Sequence, residues 1–133
     1  MDTINIQDLI QHAIHASEKA YAPYSNYPVG AALITPDGQI FTGCNIENAT
    51  YPAGICAERT ALVKAVSEGV HHFSAIAVVT KAGGSPCGIC RQMLYEFAPD
   101  LRVVIADING TIHHDRSLRE LLPLGFSGTD LHK

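Results

Sequence analysis

The sequence has few charged residues and lacks the features that mark membrane or nucleic-acid-binding proteins. Charged side chains make up 17% of its 133 residues, against roughly 25% in typical proteins. The formal net charge is −4, which disfavours a nucleic-acid partner because a phosphate backbone calls for a basic face. No apolar run is long enough to span a bilayer, and no basic-then-apolar leader stands at the N-terminus. We therefore expect a soluble, cytoplasmic protein with neither a nucleic-acid nor a membrane partner.

The chain also lacks internal repeats, low-complexity tracts and linkers. Its length of 133 residues is close to the commonest size of one domain and leaves little room for a second hydrophobic core. We expect one domain over residues 1–133. The low charge content is also typical of a small domain that buries part of its surface in an oligomer.

What the sequence does contain is a regular alternation of strand and helix patterns. Apolar residues at a helical spacing predict four helices, at 5–22, 56–69, 87–98 and 118–123. Short apolar runs bounded by turn residues predict five strands, at 29–35, 39–46, 73–80, 101–107 and 111–115. Strands that alternate with helices indicate an α/β sandwich with helices on both faces of the sheet.

Three of the four cysteines lie at the starts of two predicted helices. Cys56 begins one helix, and Cys87 and Cys90, in "SPCGICRQ", begin the next. A helix N-terminus carries exposed N–H groups and a partial positive charge, which stabilise the thiolate form that zinc binds. If the helices are neighbours, the three sulfurs can hold one zinc ion and leave its fourth position open, as in a catalytic site. Cys44, in a strand pattern, is predicted to be a buried thiol outside this group.

Glu58 and Arg59 follow Cys56 within the first turn of its helix. A carboxylate beside a metal-bound water can accept and return a proton, and we predict that role for Glu58. Three thiolates on Zn²⁺ leave a net negative charge that opposes ionisation of the water. A guanidinium that donates to the sulfurs offsets this charge, and we predict that role for Arg59. A surface salt bridge is the alternative for Arg59.

Two other uses of the cysteines stay open at this point. A thiol–disulfide oxidoreductase would use Cys87 and Cys90 alone, which leaves Cys56, Glu58 and Arg59 unexplained. A structural zinc module would close the site with a histidine as the fourth ligand. It leaves a carboxylate two positions from a ligand, which is an odd risk in a closed site.

Taken together, these segments resemble the cytidine deaminase family in its small, homotetrameric, three-cysteine form. The resemblance runs over nearly the whole chain, through "AYAPYSNYPVGAAL", "GCNIENATYPAGICAERTAL", "SPCGICRQML" and "LLPLGF". It implies a three-layer α/β/α sandwich around a mixed sheet of about five strands, and zinc-dependent deamination of cytidine and deoxycytidine in pyrimidine salvage. It also implies one Zn²⁺ per chain, held by Cys56, Cys87 and Cys90, with Glu58 as the proton shuttle. A related aminopyrimidine nucleoside deaminase, such as blasticidin S deaminase, is the alternative.

The same resemblance implies a substrate-binding set and a homotetramer whose sites are shared between subunits. Ala57 matches a residue whose backbone N–H meets the pyrimidine carbonyl, and Phe126 matches a ring supplied to a neighbouring subunit's site. Asn45 and Glu47 match ribose-binding positions. Standing two apart at the end of a strand, they can face the same way, with an Asx-turn and a solvated carboxylate as the alternative. Tyr27 stands where the family leads us to expect Phe against the base, and so adds a hydroxyl.

Overall fold

A computed structural model describes residues 4–131, in which five strands form one mixed sheet. The strands are β1 (Val29–Ile34), β2 (Ile40–Cys44), β3 (Ala75–Thr80), β4 (Arg102–Asp107) and β5 (Ile112–Ser117). Their order across the sheet is β2-β1-β3-β4-β5, with β3 and β4 parallel and the other neighbours antiparallel. The predicted α/β class and the number of strands are confirmed.

Helices cover both faces of this sheet. The helices are α1 (Ile6–Ser17), α2 (Ala57–Ser67), α3 (Gly88–Phe97), α4 (Leu118–Leu121) and α5 (Gly128–Leu131), with a 3₁₀ turn at Tyr51–Ala53. One apolar cluster packs α1 against one face through residues such as Leu9, Ala32 and Val79. A second packs α2 and α3 against the other face through residues such as Leu62 and Leu94. The predicted three-layer sandwich is therefore confirmed. Within residues 4–131, no helix is long and apolar enough to cross a membrane.

The ends of the helices follow local signals in the sequence, with one exception. Asn5 accepts a hydrogen bond from the Asp8 N–H at 3.0 Å, and so caps α1. The predicted end of α1 at residue 22 is wrong, because the helix ends at Ser17. The chain leaves the helix to form an isolated bridge, in which the N–H of Tyr21 donates to the carbonyl of Asn45 at 2.9 Å. This pairing across the fold outweighs the local helical pattern.

Gly43 on β2 fixes the distance between the sheet and the start of α2. A Cβ at this position would lie 2.5 Å from the Ala57 carbonyl oxygen and 2.5 Å from the Ala61 nitrogen. Only glycine permits so close an approach between the two backbones. The first turn of α2, which carries Glu58, is therefore placed by direct contact with the strand.

Candidate active site and metal centre

The three predicted ligand sulfurs converge between the N-termini of α2 and α3. Cys56 is the N-cap of α2, Cys87 is the N-cap of α3, and Cys90 lies in the first turn of α3. Their sulfur atoms all lie within 4.8 Å of one another. The Cys87–Cys90 sulfur distance is 3.3 Å and the Cys56–Cys87 distance is 3.9 Å. Cys90 is buried, Cys56 is half-buried and Cys87 is exposed.

This donor set fits zinc. Tetrahedral bonds of ~2.3 Å would set sulfurs roughly 3.8 Å apart, and the two distances of 3.3 and 3.9 Å lie on either side of that value. The described residues that line the surrounding pocket include no histidine that could close the set as a fourth ligand. Three sulfurs with an open side are the arrangement of a catalytic zinc site rather than a structural one.

Glu58 is the buried carboxyl group of the site. Its side chain is only 4% exposed and lines the pocket that the sulfurs border. Burial raises its pKa above the usual value, because a dry environment disfavours the charged form. A carboxyl group with a raised pKa holds a proton more readily than an ordinary carboxylate does, which suits a group that must accept a proton and then return it.

Arg59 contacts the sulfur cluster. Its Nη2 donates to the Cys56 sulfur at 3.6 Å, and no carboxylate among the described residues pairs with it. In the metal-free chain, a hydrogen bond from Cys90 and then the contact with Arg59 lower the pKa of Cys56 to about 5. The same bond and burial raise the pKa of Cys90. One negative charge is thus concentrated on Cys56, beside the guanidinium.

A pocket of about 400 Å³ opens over the sulfurs, within the size range of small-ligand sites. The predicted substrate-binding residues Tyr27, Asn45, Glu47 and Ala57 line it together with the predicted metal-site residues except Cys90, which is fully buried: Cys56, Glu58, Arg59 and Cys87. Phe126 does not line it. Its side chain is 54% exposed, and its carbonyl accepts a hydrogen bond from Gln92 at 2.9 Å.

Hydrogen bonds hold Asn45 and Glu47 in place. The Asn45 side chain accepts from the Val29 N–H and donates to the Tyr27 carbonyl, both at 2.9 Å, and so clamps two strands rather than forming an Asx-turn. The Glu47 carboxylate accepts from the hydroxyl of Ser25, and from the N–H groups of Ser25 at 3.1 Å and of the residue before it at 3.0 Å. The Ser25 hydroxyl is the main cause of the lowered pKa of Glu47.

Other residues differ from the sequence interpretation or were missed by it. Cys44 is half-buried rather than buried, and its thiol contacts the Lys19 carbonyl oxygen at 3.5 Å. The Thr80 hydroxyl accepts from the Gly84 N–H at 2.7 Å and holds the loop before Cys87. Thr80 ends an apolar strand pattern, and nothing in that pattern shows that its hydroxyl turns toward a loop.

The match to known families agrees with this geometry. Residues 3–106 match the model of the cytidine and deoxycytidylate deaminase zinc-binding region. The chain belongs to this family. It is 47% identical over 131 residues to a cytidine deaminase from Sporosarcina psychrophila, covering 96% of both chains. It is 49% identical over 129 residues to one from Halalkalibacterium halodurans, covering 95% of this chain and 97% of that one.

A solved structure shares the fold. The crystal structure of cytidine deaminase from Burkholderia pseudomallei superposes with a TM-score of 0.87 at 48% identity, covering 92% of this chain and 100% of that chain. A blasticidin-S deaminase from Bacillus cereus is less similar, at 34% identity over 141 residues and 96% of this chain. The family membership therefore rests on both sequence and fold.

Proposed function

We propose that the protein hydrolyses cytidine and deoxycytidine to uridine and deoxyuridine with release of ammonia. The observation that carries the proposal is a buried carboxyl group beside three converging cysteine sulfurs, at the base of a pocket of about 400 Å³. Relatives that match nearly the whole chain are cytidine deaminases, and the blasticidin-S deaminase is more distant. We also propose that the protein acts in the cytoplasm, in pyrimidine salvage.

In this proposal Cys56, Cys87 and Cys90 hold one Zn²⁺. When bound, zinc supplies Lewis acidity, which makes water acidic enough for hydrolysis near neutral pH. Arg59 donates to the Cys56 sulfur, and its positive charge offsets part of the negative charge of three thiolates. The remaining chemistry is the movement of protons, which falls to the chain itself.

Glu58 moves those protons. It accepts one proton from the attacking water and delivers it to ring N3, which makes C4 more electrophilic, and the water oxygen forms its bond to C4. Glu58 then carries the second proton of that water to the exocyclic nitrogen. The C4–N bond breaks, ammonia leaves, and C4 keeps the oxygen as a carbonyl. The raised pKa of Glu58 suits this double transfer, because the group must be a base first and an acid afterwards.

The other pocket residues orient the nucleoside. The Ala57 N–H, at the start of α2, donates to the pyrimidine carbonyl, and the Tyr27 ring lies against the base. Asn45 and Glu47 bind sugar hydroxyls from the positions in which their hydrogen bonds hold them. An ionised carboxylate is a strong hydrogen-bond acceptor, and the lowered pKa of Glu47 favours that form.

The experiment that tests this function is an absorbance assay on cytidine, deoxycytidine, free cytosine and blasticidin S, with the zinc-loaded protein. We expect rapid loss of the cytosine absorbance with both nucleosides and release of one ammonia per turnover. Turnover of blasticidin S without turnover of cytidine would reassign the substrate. Thiol–disulfide exchange by Cys87 and Cys90 in the absence of any deamination would favour the redox alternative.

We also propose a homotetramer in which each site receives Phe126 from a neighbour. Two observations support this proposal. Phe126 is more than half exposed and lies outside its own chain's pocket. Tyr51, which lines that pocket, is 76% exposed, so one edge of the pocket is uncovered. A stacked ring is worth about 1–3 kcal/mol per base.

A subunit-mixing experiment tests the sharing. Mixed tetramers of Glu58→Gln and Phe126→Ala chains should regain activity, because some sites combine an intact Glu58 with a neighbour's intact Phe126. No gain in confirmed mixed tetramers would contradict the shared site.

A further inference from the structure

The three cysteines of the proposed zinc site are held in place by different means. Cys90 is completely buried among core residues, and Cys56 begins a helix that is packed directly on the sheet. Cys87 is exposed and ends a loop that crosses from β3 to α3. Pro86, the residue before it, is buried, but the Cys87 side chain itself has no core packing that would turn its sulfur toward the other two.

Arg91, one turn beyond Cys87 on α3, binds the loop that precedes that cysteine. Its Nε donates to the Pro86 carbonyl at 2.9 Å, and its Nη2 donates to the Ser85 hydroxyl at 2.9 Å. Its Nη1 donates to the carbonyl of Leu121, at the end of α4, at 2.7 Å. One guanidinium thus joins the two residues before Cys87 to a segment thirty residues away in the chain.

We propose that Arg91 is a positioning residue for the Cys87 sulfur: it fastens the loop of residues 85–86 to the end of α4 and so holds Cys87 toward Cys56 and Cys90. The inference rests on the proposed zinc site. Arginine suits the task because its planar group has five donors in fixed directions, which lysine does not. All three hydrogen-bond acceptors are neutral, so the contacts build a scaffold rather than an ion pair.

The test has two measurements. Graded chelator withdraws zinc from the zinc-loaded protein and gives its metal affinity. The sulfur-to-metal absorption is recorded on the Co²⁺-substituted protein. We expect Arg91→Lys to keep its fold by circular dichroism, to bind metal about tenfold more weakly, and to show an altered Co²⁺ spectrum. Gln92→Ala is the matched control on the same helix. It removes the bond to the Phe126 carbonyl but leaves the Cys87 loop intact, so metal affinity and spectrum should be unchanged.

Two further variants make the result decisive. Ser85→Ala removes one acceptor of Arg91, and it should bind metal more weakly than the wild type but more tightly than Arg91→Lys. If Arg91→Lys does not fold, the comparison of Ser85→Ala with the wild type decides. Arg116→Lys alters an exposed arginine whose one ion pair within residues 4–131 is with Glu120, at 3.6 Å, and should bind metal normally. Unchanged affinity and spectrum in Arg91→Lys, or in Ser85→Ala if Arg91→Lys does not fold, would overturn the inference alone. Absence of the sulfur-to-metal absorption in the wild type would overturn the proposed zinc site as well.

Discussion

The N-terminal turns of α2 and α3 have the same plan and different surroundings. Each begins with a cysteine as its N-cap, and the two cysteines approach each other to 3.9 Å. Two residues after the first cysteine stands Glu58, which is 4% exposed, and two residues after the second stands Ile89, which is 61% exposed. At this position the first turn is dry and carries an ionisable group and the second is open to solvent, although Cys90, the next residue of the second turn, is buried.

The two turns also differ in what places them. Gly43 brings the start of α2 into direct contact with the sheet, whereas a Cβ on Gly88, at the start of α3, would meet nothing within 4 Å. The α3 turn depends instead on side-chain hydrogen bonds, above all those of Arg91. A site that needs both a desolvated proton carrier and an accessible metal ligand can obtain each from a different helix end.

The largest expected effect comes from removing the ionisable group of the dry turn. Glu58→Gln keeps the shape of the side chain but cannot carry a proton, so kcat should fall by at least ~10²-fold while zinc content is retained. Glu96→Gln makes the same change at an exposed position on α3 and should leave kcat as in the wild type. Near-normal turnover in a zinc-loaded Glu58→Gln protein would show that another group moves the proton.

A pair of glycine substitutions tests whether packing really distinguishes the two turns. Gly43→Ala forces a methyl group against the α2 backbone and should lower the free energy of unfolding by about 1–3 kcal/mol, with loss of zinc. Gly88→Ala should change stability by at most about 1 kcal/mol, in the stabilising direction, because alanine favours a helix and finds open space. Chemical denaturation measures both. Equal destabilisation by the two substitutions would show that packing does not distinguish the two turns.

The charge on the α2 turn can be tested in the metal-free protein. The pKa of Cys56 is about 5, so its thiolate predominates above that pH, and Arg59 contributes to the shift. Arg59→Ala should raise this pKa, which reduces the thiolate fraction and slows alkylation of Cys56 at about pH 6. Alkylation rates across pH, with the modified residue identified by mass spectrometry, provide the measurement. A profile identical to that of the wild type would mean that Arg59 has no electrostatic effect on the sulfur.

The smallest effect is expected at Tyr27. Its hydroxyl lies next to Gly84, 3.2 Å from where a Cβ on that residue would stand. No group among residues 4–131 forms a hydrogen bond with this hydroxyl. Tyr27→Phe should therefore change kcat/KM by less than about threefold, since no neutral hydrogen bond is lost. A much larger loss for cytidine would show that the phenol binds the nucleoside directly.

Local patterns were sufficient to predict most of the fold and the position of the cysteines at helix starts, while their convergence on one site followed from the family resemblance. The strands and helices have clear apolar periods, and a cysteine at each helix start is visible in the sequence alone. The end of α1 was mispredicted because the Tyr21–Asn45 pairing joins residues distant in sequence. Contacts of this kind leave no periodic signal.

The residues of the site divide in the same way, into those that local patterns reveal and those that contacts between distant residues place. The sequence gives no sign of the contacts of Arg91, because its partner Leu121 lies on another element. It predicts a ribose-binding role for Asn45 but not the hydrogen bonds by which this residue also clamps two strands. Phe126 shows the limit most clearly. It is exposed on its own chain, and only the proposed homotetramer gives it a role in a pocket.

The most direct test of the central claim is zinc-edge X-ray absorption on the wild-type protein. We predict three sulfur ligands at ~2.3 Å and one lighter oxygen or nitrogen ligand that changes when a nucleoside is bound. Cys56→Ser, Cys87→Ser or Cys90→Ser should each remove one sulfur from that shell or abolish binding. A shell of four sulfurs, or one with a histidine that a nucleoside does not displace, would contradict an open three-cysteine site.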